Sequence, residues 1–198
     1  MKKIITISRQ FGAGGGEIGR KLSDALGIEY YDKDMVMRTA LMDPKLDPAM
    51  VNRWENKASS KMSMFYGLFD TYTKPMDVQI FEAQKKAIFN MADKESCIIL
   101  GRNANYLLKN YDHVLRVYVY ASENWRVNRM CGLMPDVSKD EIAAKTKKID
   151  GARRKNCQNY TGHTLGDPDG YDLCINTEKI GIDLAVQLIL ETLKAREA

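Results

Sequence analysis

Four glycines, Gly12, Gly14, Gly15 and Gly16, crowd into five positions directly after an apolar run. Residues without a Cβ let a backbone turn sharply or approach a ligand closely. Glu17 and Ile18 continue the stretch, and Ile18, Leu22, Ala25 and Leu26 then recur at helical spacing up to Gly27. A helix that opens on such a turn aims unpaired N–H groups and the positive end of its dipole at one point, which suits phosphate. A second population of residues could complete that chemistry. Arg126, Arg129, Lys145, Lys147, Lys148, Arg153, Arg154 and Lys155 flank residues 131–160, with Asp150 among them. Lys147, Asp150, Arg153 and Arg154 fall three or four apart, on one side of a helix starting at Ser138. They read either as a solvated face or as a lid whose arginine forks close over phosphate oxygens. Arg102 follows a strand-ending glycine, and Arg38 lies one helical turn past Asp34.

The elements that must hold these groups alternate strongly. Ile4 to Ile7 reads as a buried strand, as do Ile28–Tyr31, Cys97–Leu100, His113–Tyr120 and Tyr171–Asn176. Helices are expected over 35–42, 77–93, 104–109, from Ser122 through Arg129, over 138–156 and over 180–193. Ser138 with Glu141 three residues on has the spacing of a capping box. Strand–helix alternation predicts an α/β fold, a parallel sheet covered on both faces. Ligands in such sheets bind at the carboxyl ends of the strands. Here those ends are residues 9–16, 32–34, 101–103 and 121–122. Residues 49–75, with Trp54, Phe65, Tyr66 and Phe69, read as a helical insertion over the core.

Two nucleotide-binding loops fit the glycine stretch. Gly14-x-Gly16-x-x-Gly19, with Asp32 or Asp34 downstream, matches a dinucleotide fingerprint. The intervening Arg9 to Ala13 instead give the longer loop of a mononucleotide P-loop, although no Gly-x-x-x-x-Gly-Lys-[Ser/Thr] string is present. A glycine turn with no ligand is the third reading.

Composition narrows the classes. The 198 residues suit one domain, and 30 basic against 26 acidic residues give a net charge of +4. That excess fits anionic small molecules and is too small to indicate nucleic acid. No apolar run is long enough to span a bilayer, and no cleavable leader is expected. Cys97, Cys131, Cys157 and Cys174 have no metal-like spacing, and Cys97 and Cys174 are expected as buried thiols. No metal-ligand set is expected, and the cytoplasm is the expected compartment. His113 reads as structural, and His163 lies in a polar turn.

Taken in order, the motifs resemble the cytidylate kinase-like family of nucleoside monophosphate kinases over nearly the whole chain. The resemblance rests on residues 4–19, Tyr30-Tyr-Asp-Lys-Asp34, Leu100-Gly-Arg-Asn103, Asp150-x-x-Arg153, Tyr160-Thr-Gly162, Gly166-Asp-Pro168 and Tyr171–Asn176. It implies a three-layer P-loop NTPase-like sheet in one domain, with an acceptor-binding insertion at about 43–75 and a lid at about 131–170. It implies phosphoryl transfer from ATP with Mg2+ to a small acceptor, a nucleoside monophosphate. Arg9 and the loop from Gly12 through Ala13, Gly14, Gly15, Gly16 and Glu17 to Ile18 would hold ATP. Asp32, Arg38, Arg102 and Asn103 would hold the acceptor. Arg126, Arg129, Asp150 and Arg153 would act in catalysis. The chain also departs from the pattern. Gly15 stands at the loop-lysine position, Glu17 at that of a Thr, and Leu100 where cytidylate kinases proper have Asp. Arg9 or Arg20 is then the candidate to replace the lysine charge. A non-catalytic nucleotide- or anion-binding protein and a dinucleotide-dependent oxidoreductase are the alternatives.

Overall fold

β1 (Ile4–Arg9) runs through the centre of a five-stranded sheet in the computed structural model, which describes residues 2–43 and 74–197. The strand order is β2-β3-β1-β4-β5, with β2 at Glu29–Tyr31, β3 at Cys97–Leu100, β4 at Val114–Tyr120 and β5 at Leu173–Asn176. Every pairing is parallel; Ile4 pairs with Cys97 on one side and Val114 on the other. The helices are α1 (Gly15–Leu26), α2 (Lys33–Leu41), α3 (Lys74–Lys94), α4 (Ala104–Leu107), α5 (Glu123–Leu133), α6 (Lys139–Thr161) and α7 (Thr177–Glu197). α7 breaks at Gly181, where φ is 78°.

Alternation along the strands builds two cores. Ile4, Cys97 and Ile99 point to one face and pack with Val36, Ala87, Ile88 and Leu108 from α2, α3 and the end of α4. Ile5, Ile7, Ile98 and Leu115 point to the other and pack with Ile18 and Leu22 of α1 and Ile189 of α7. A strand with both faces covered must be apolar throughout, and that is the reason β1 and β3 read as continuous apolar runs.

The expected caps at Ser122 and Ser138 hold, whereas the helices expected from 35, 77 and 180 begin at Lys33, Lys74 and Thr177. Ser138 and Glu141 form the reciprocal capping box of α6, and Ser122 caps α5. α6 runs five residues beyond the expected end at Asn156 and stops at Gly162, whose φ of 71° suits a left-handed cap. Residues 44–73, including Trp54, Phe65, Tyr66 and Phe69 of the expected insertion, lie outside the described residues.

Three local readings are corrected. Cys174 is exposed, not buried, because β5 is the edge strand and turns Leu173 and Ile175 to the core. Ala25 of α1 is exposed, since Ile18 and Leu22 supply the buried stripe. Lys147 and Arg154 point to solvent, whereas Asp150 of the same helix is buried, so the charged side of α6 is split between two environments.

Candidate functional site

The glycine loop is pinned from several elements. Gln10 continues the β1 ladder by donating its N–H to Val119 O at 3.0 Å, and its side chain accepts from Ala121 N–H at 3.1 Å. The Thr177 hydroxyl sits between the carbonyls of Ala13 (2.8 Å) and Tyr120 (3.2 Å). Gly14 caps α1 in the left-handed region with φ 89°, and a Cβ there would run into Ile182. Its position therefore needs glycine twice, for φ and for space. No side chain caps α1, and its first helical bond is Ile18 N–H to Gly14 O at 3.0 Å. The N–H groups of Gly15, Gly16 and Glu17 precede that bond and point off the helix end. A helix end left open in this way suits an anion.

Arg126 and Asp150 hold the other side of the loop. Both are buried, at 5% and 4% exposure, and lie 2.7 Å apart. Arg126 also donates to Phe11 O at 2.7 Å and Ala121 O at 3.1 Å, while Asp150 accepts the Phe11 N–H at 2.7 Å. Arg153 reaches the loop entrance, donating to Arg9 O at 3.1 Å. Arg129 pairs with Glu17 at 2.6 Å and approaches Gly12 O at 3.4 Å. Arg126 and Asp150, taken from the sequence as catalytic residues, are thus spent on loop backbone here, and Glu17 is turned to Arg129.

A third group gathers at the end of β3. Gly101, Arg102 and Asn103 all take positive φ, at 76°, 57° and 57°. A left-handed arginine is strained, and such strain survives where the surroundings impose it. Asn103 donates to Asn156 of α6 at 3.1 Å. Loss of water pulls the Arg102 guanidinium down to about 10, with nearby Arg153 adding repulsion against the pull of Asp34. Burial and then Arg153 lower Arg9 as well, and Arg153 itself is lowered chiefly by burial. Lys33, at the start of α2, is lowered by lost water around its ammonium and by Arg102. An arginine so depressed still carries its charge at neutral pH. Burial is the chief cause of all four shifts and the neighbouring cations add to it, so a bound anion would favour the charged forms.

Lys33 was not singled out in the sequence. Its only sign was adjacency to Asp32 at a strand's carboxyl end, shared by many surface lysines. Asp32 caps α2, accepting from the N–H groups of Asp34 and Met35 at 2.9 and 3.0 Å. Arg38 is exposed on α2. His163 lies against Tyr106, ring centroids 4.8 Å apart.

The strand order decides between the two nucleotide loops. β3 lies between β1 and β2, whereas the dinucleotide fold keeps its second strand beside its first. Residues 4–179 match the cytidylate kinase-like family. The chain belongs to that family. A cytidylate kinase of Saccharolobus islandicus is 25% identical over 192 residues, covering 97% of this chain and 91% of that protein. A crystal structure of an uncharacterized protein from Eubacterium ventriosum superposes with a TM-score of 0.75 at 22% identity, covering 98% of this chain and 99% of the other. Shikimate kinase from Bacteroides thetaiotaomicron gives 0.55 at 14% identity, with 97% and 98% covered. These likenesses carry the P-loop kinase fold. Membership of the cytidylate kinase-like family supports a nucleotide or small-molecule kinase. Among the described residues no helix is long and apolar enough to cross a membrane.

The loop fits a triphosphate. Among the described residues, no side chain caps the α1 N–H groups, and Arg9 and Arg102 lie in a cationic cluster beside them. Magnesium in kinase sites is held largely by phosphate oxygens and water, so few protein ligands are needed. Glu17 is the carboxylate on the loop itself, and it would have to leave Arg129 to serve.

Proposed function

We propose that this protein transfers the terminal phosphoryl group of ATP to a nucleoside monophosphate. The observation that carries the reading is the convergence of Arg9, Arg102, Arg153 and Lys33 on one place beside an uncapped helix N-terminus. Phosphoryl transfer asks a protein for positioning and charge stabilisation, with little covalent chemistry. The loop N–H groups of residues 12–18 hold the donor phosphates. Glu17, once freed from Arg129, would be the loop carboxylate available to hold magnesium, which would supply charge neutralisation to the phosphates. Arg102 holds the acceptor phosphate, with Lys33 beside it and Arg38 as a further candidate from α2. Arg153 approaches the transferring group from α6. Arg126 and Asp150 position the loop through Phe11, and Arg129 acts once Glu17 releases it. Asp32 holds the start of α2 in register with the acceptor site. The four thiols are free, which fits a cytoplasmic enzyme.

One observation favours a second reading. Gly15 occupies the loop-lysine position, and Arg126 and Arg129 are both tied to the loop, as in a protein that binds nucleotide without transfer. ADP release from Mg-ATP, assayed across nucleoside and deoxynucleoside monophosphates, separates the two. Turnover with one acceptor, lost in Arg102→Ala, is the expected result. ATP binding with no turnover on any acceptor selects the binding protein.

A further inference from the structure

The space around Arg9 explains a departure from the loop pattern. Arg9 ends β1, and its side chain runs past Gly15 to Gly101. A Cβ on Gly15 would lie 2.9 Å from Arg9 Cβ and 3.1 Å from its Cγ. A Cβ on Gly101 would overlap Arg9 Nη1. Gly15 opens α1, and Gly101 N–H donates to Ile7 O at 3.0 Å, so the side chain threads between the helix N-terminus and the end of the neighbouring strand. Its carbonyl is fixed by Arg153 at 3.1 Å. Arg153 and Arg102 act on the guanidinium as like charges, while Tyr30 and Asp32 act in the opposite sense.

We propose that Arg9 is the phosphate-binding cation that takes the place of a loop lysine, its donors set between the triphosphate cradle and the Arg102 cluster. Gly15 is a glycine because the Arg9 stem fills the space its Cβ would take, whereas Gly101 is favoured by its φ of 76° as well as by the Arg9 tip beside it. A lysine at position 15 and an arginine at position 9 exclude each other: the lysine's first carbon meets the arginine's stem. The guanidinium offers a flat fork where lysine offers a point charge, so it can hold two phosphate oxygens at once. Arg20 is the rival. It is exposed, and its Nη1 lies 3.9 Å from where a Gly16 Cβ would be, a position that the Tyr30 hydroxyl also approaches.

The assignment rests on the proposed triphosphate site, and the test keeps the two apart. Calorimetric binding of inorganic tripolyphosphate and of Mg-ATP is measured for the unaltered protein, Arg9→Gln, Gly15→Lys, Arg9→Gly with Gly15→Lys, and Arg20→Gln, each with a thermal melt. Arg9→Gln is expected to weaken tripolyphosphate binding by about tenfold to a hundredfold, the effect of losing a charge-assisted pair. Gly15→Lys alone melts lower, and adding Arg9→Gly, which removes the Cβ as well as the rest of the side chain, recovers the melt and much of the binding. Unchanged binding in Arg9→Gln, an equal loss in Arg20→Gln, or an undisturbed Gly15→Lys melt overturns the proposal. No tripolyphosphate binding by the unaltered protein overturns it together with the kinase reading. Binding without acceptor-dependent ADP release overturns the kinase reading and leaves Arg9 in place.

Discussion

Arg126 and Asp150 each hold one end of the Phe11 peptide unit. The guanidinium donates to the carbonyl and the carboxylate accepts the N–H, both at 2.7 Å, while the two side chains bond each other at 2.7 Å. α5 and α6 are thereby joined to the phosphate loop through one residue.

Removing a single member leaves a buried charge without its partner. Asp150→Ala is expected to lower stability by about 3 kcal/mol in urea unfolding. Arg126→Met with Asp150→Leu is expected to recover most of that loss, since apolar groups need no pairing. The double variant still leaves Phe11 unheld, so nucleotide affinity measured by calorimetry stays depressed. A double variant that binds ATP like the unaltered protein would remove Arg126 and Asp150 from loop positioning.

Arg102 carries strain and repulsion that serve binding. Its φ is 57°, and Arg153 lies near enough to oppose its charge. Glycine adopts that backbone without the Cβ penalty, about 1 kcal/mol. Arg102→Gly is therefore expected to raise the urea midpoint slightly while losing acceptor-dependent turnover by about a hundredfold. Lower stability in this variant would show that Arg102 holds the fold.

Asp172 gives the acid limb of stability. Partial burial alone would raise its carboxyl, but the Arg116 side chain and backbone N–H, at 2.7 and 2.8 Å, hold it below the ordinary range, with Arg196 adding at 3.4 Å. A carboxyl lowered by folding contributes stability above its unfolded value of about 3.9, lost as pH falls through the folded one. Asp172→Asn should cost about 1 kcal/mol at neutral pH, given partial solvent screening. The difference from the unaltered protein should shrink in acid melts as pH falls below the unfolded value of about 3.9.

The thiols should react in order of exposure. Cys174 is exposed and Cys131 intermediate, while Cys97 and Cys157 are buried. Burial, then Glu95, pushes the Cys97 thiol up to about 12, so it offers almost no thiolate at neutral pH. Timed reaction with an aromatic disulfide reagent should label Cys174 first and Cys131 next. Cys97 and Cys157 should follow only on unfolding. Rapid labelling of Cys97 would contradict the packing of β3.

The sequence by itself determined the layers and the loop. Ile4, Ile5 and Ile7 with Cys97–Leu100 announced strands buried on both faces, and Ser138 with Glu141 announced the start of α6, because these signals are local periods and caps. The left-handed glycines of the α1 loop and Gly27 were legible for the same reason. Only the tertiary structure decided what the cations do. Arg126, Arg129 and Arg153 look alike along the chain, yet one is buried against Asp150, one is paired with Glu17 and one faces Arg9 and Arg102. The fate of a long charged side chain depends on which carboxylate or carbonyl the fold brings within 3 Å, and those partners lie up to 144 residues away in sequence. Strand order was equally hidden, since the placement of β3 between β1 and β2 follows from long-range pairing. That placement sets Gly101 against Arg9, a contact between residues 92 positions apart that no local pattern encodes.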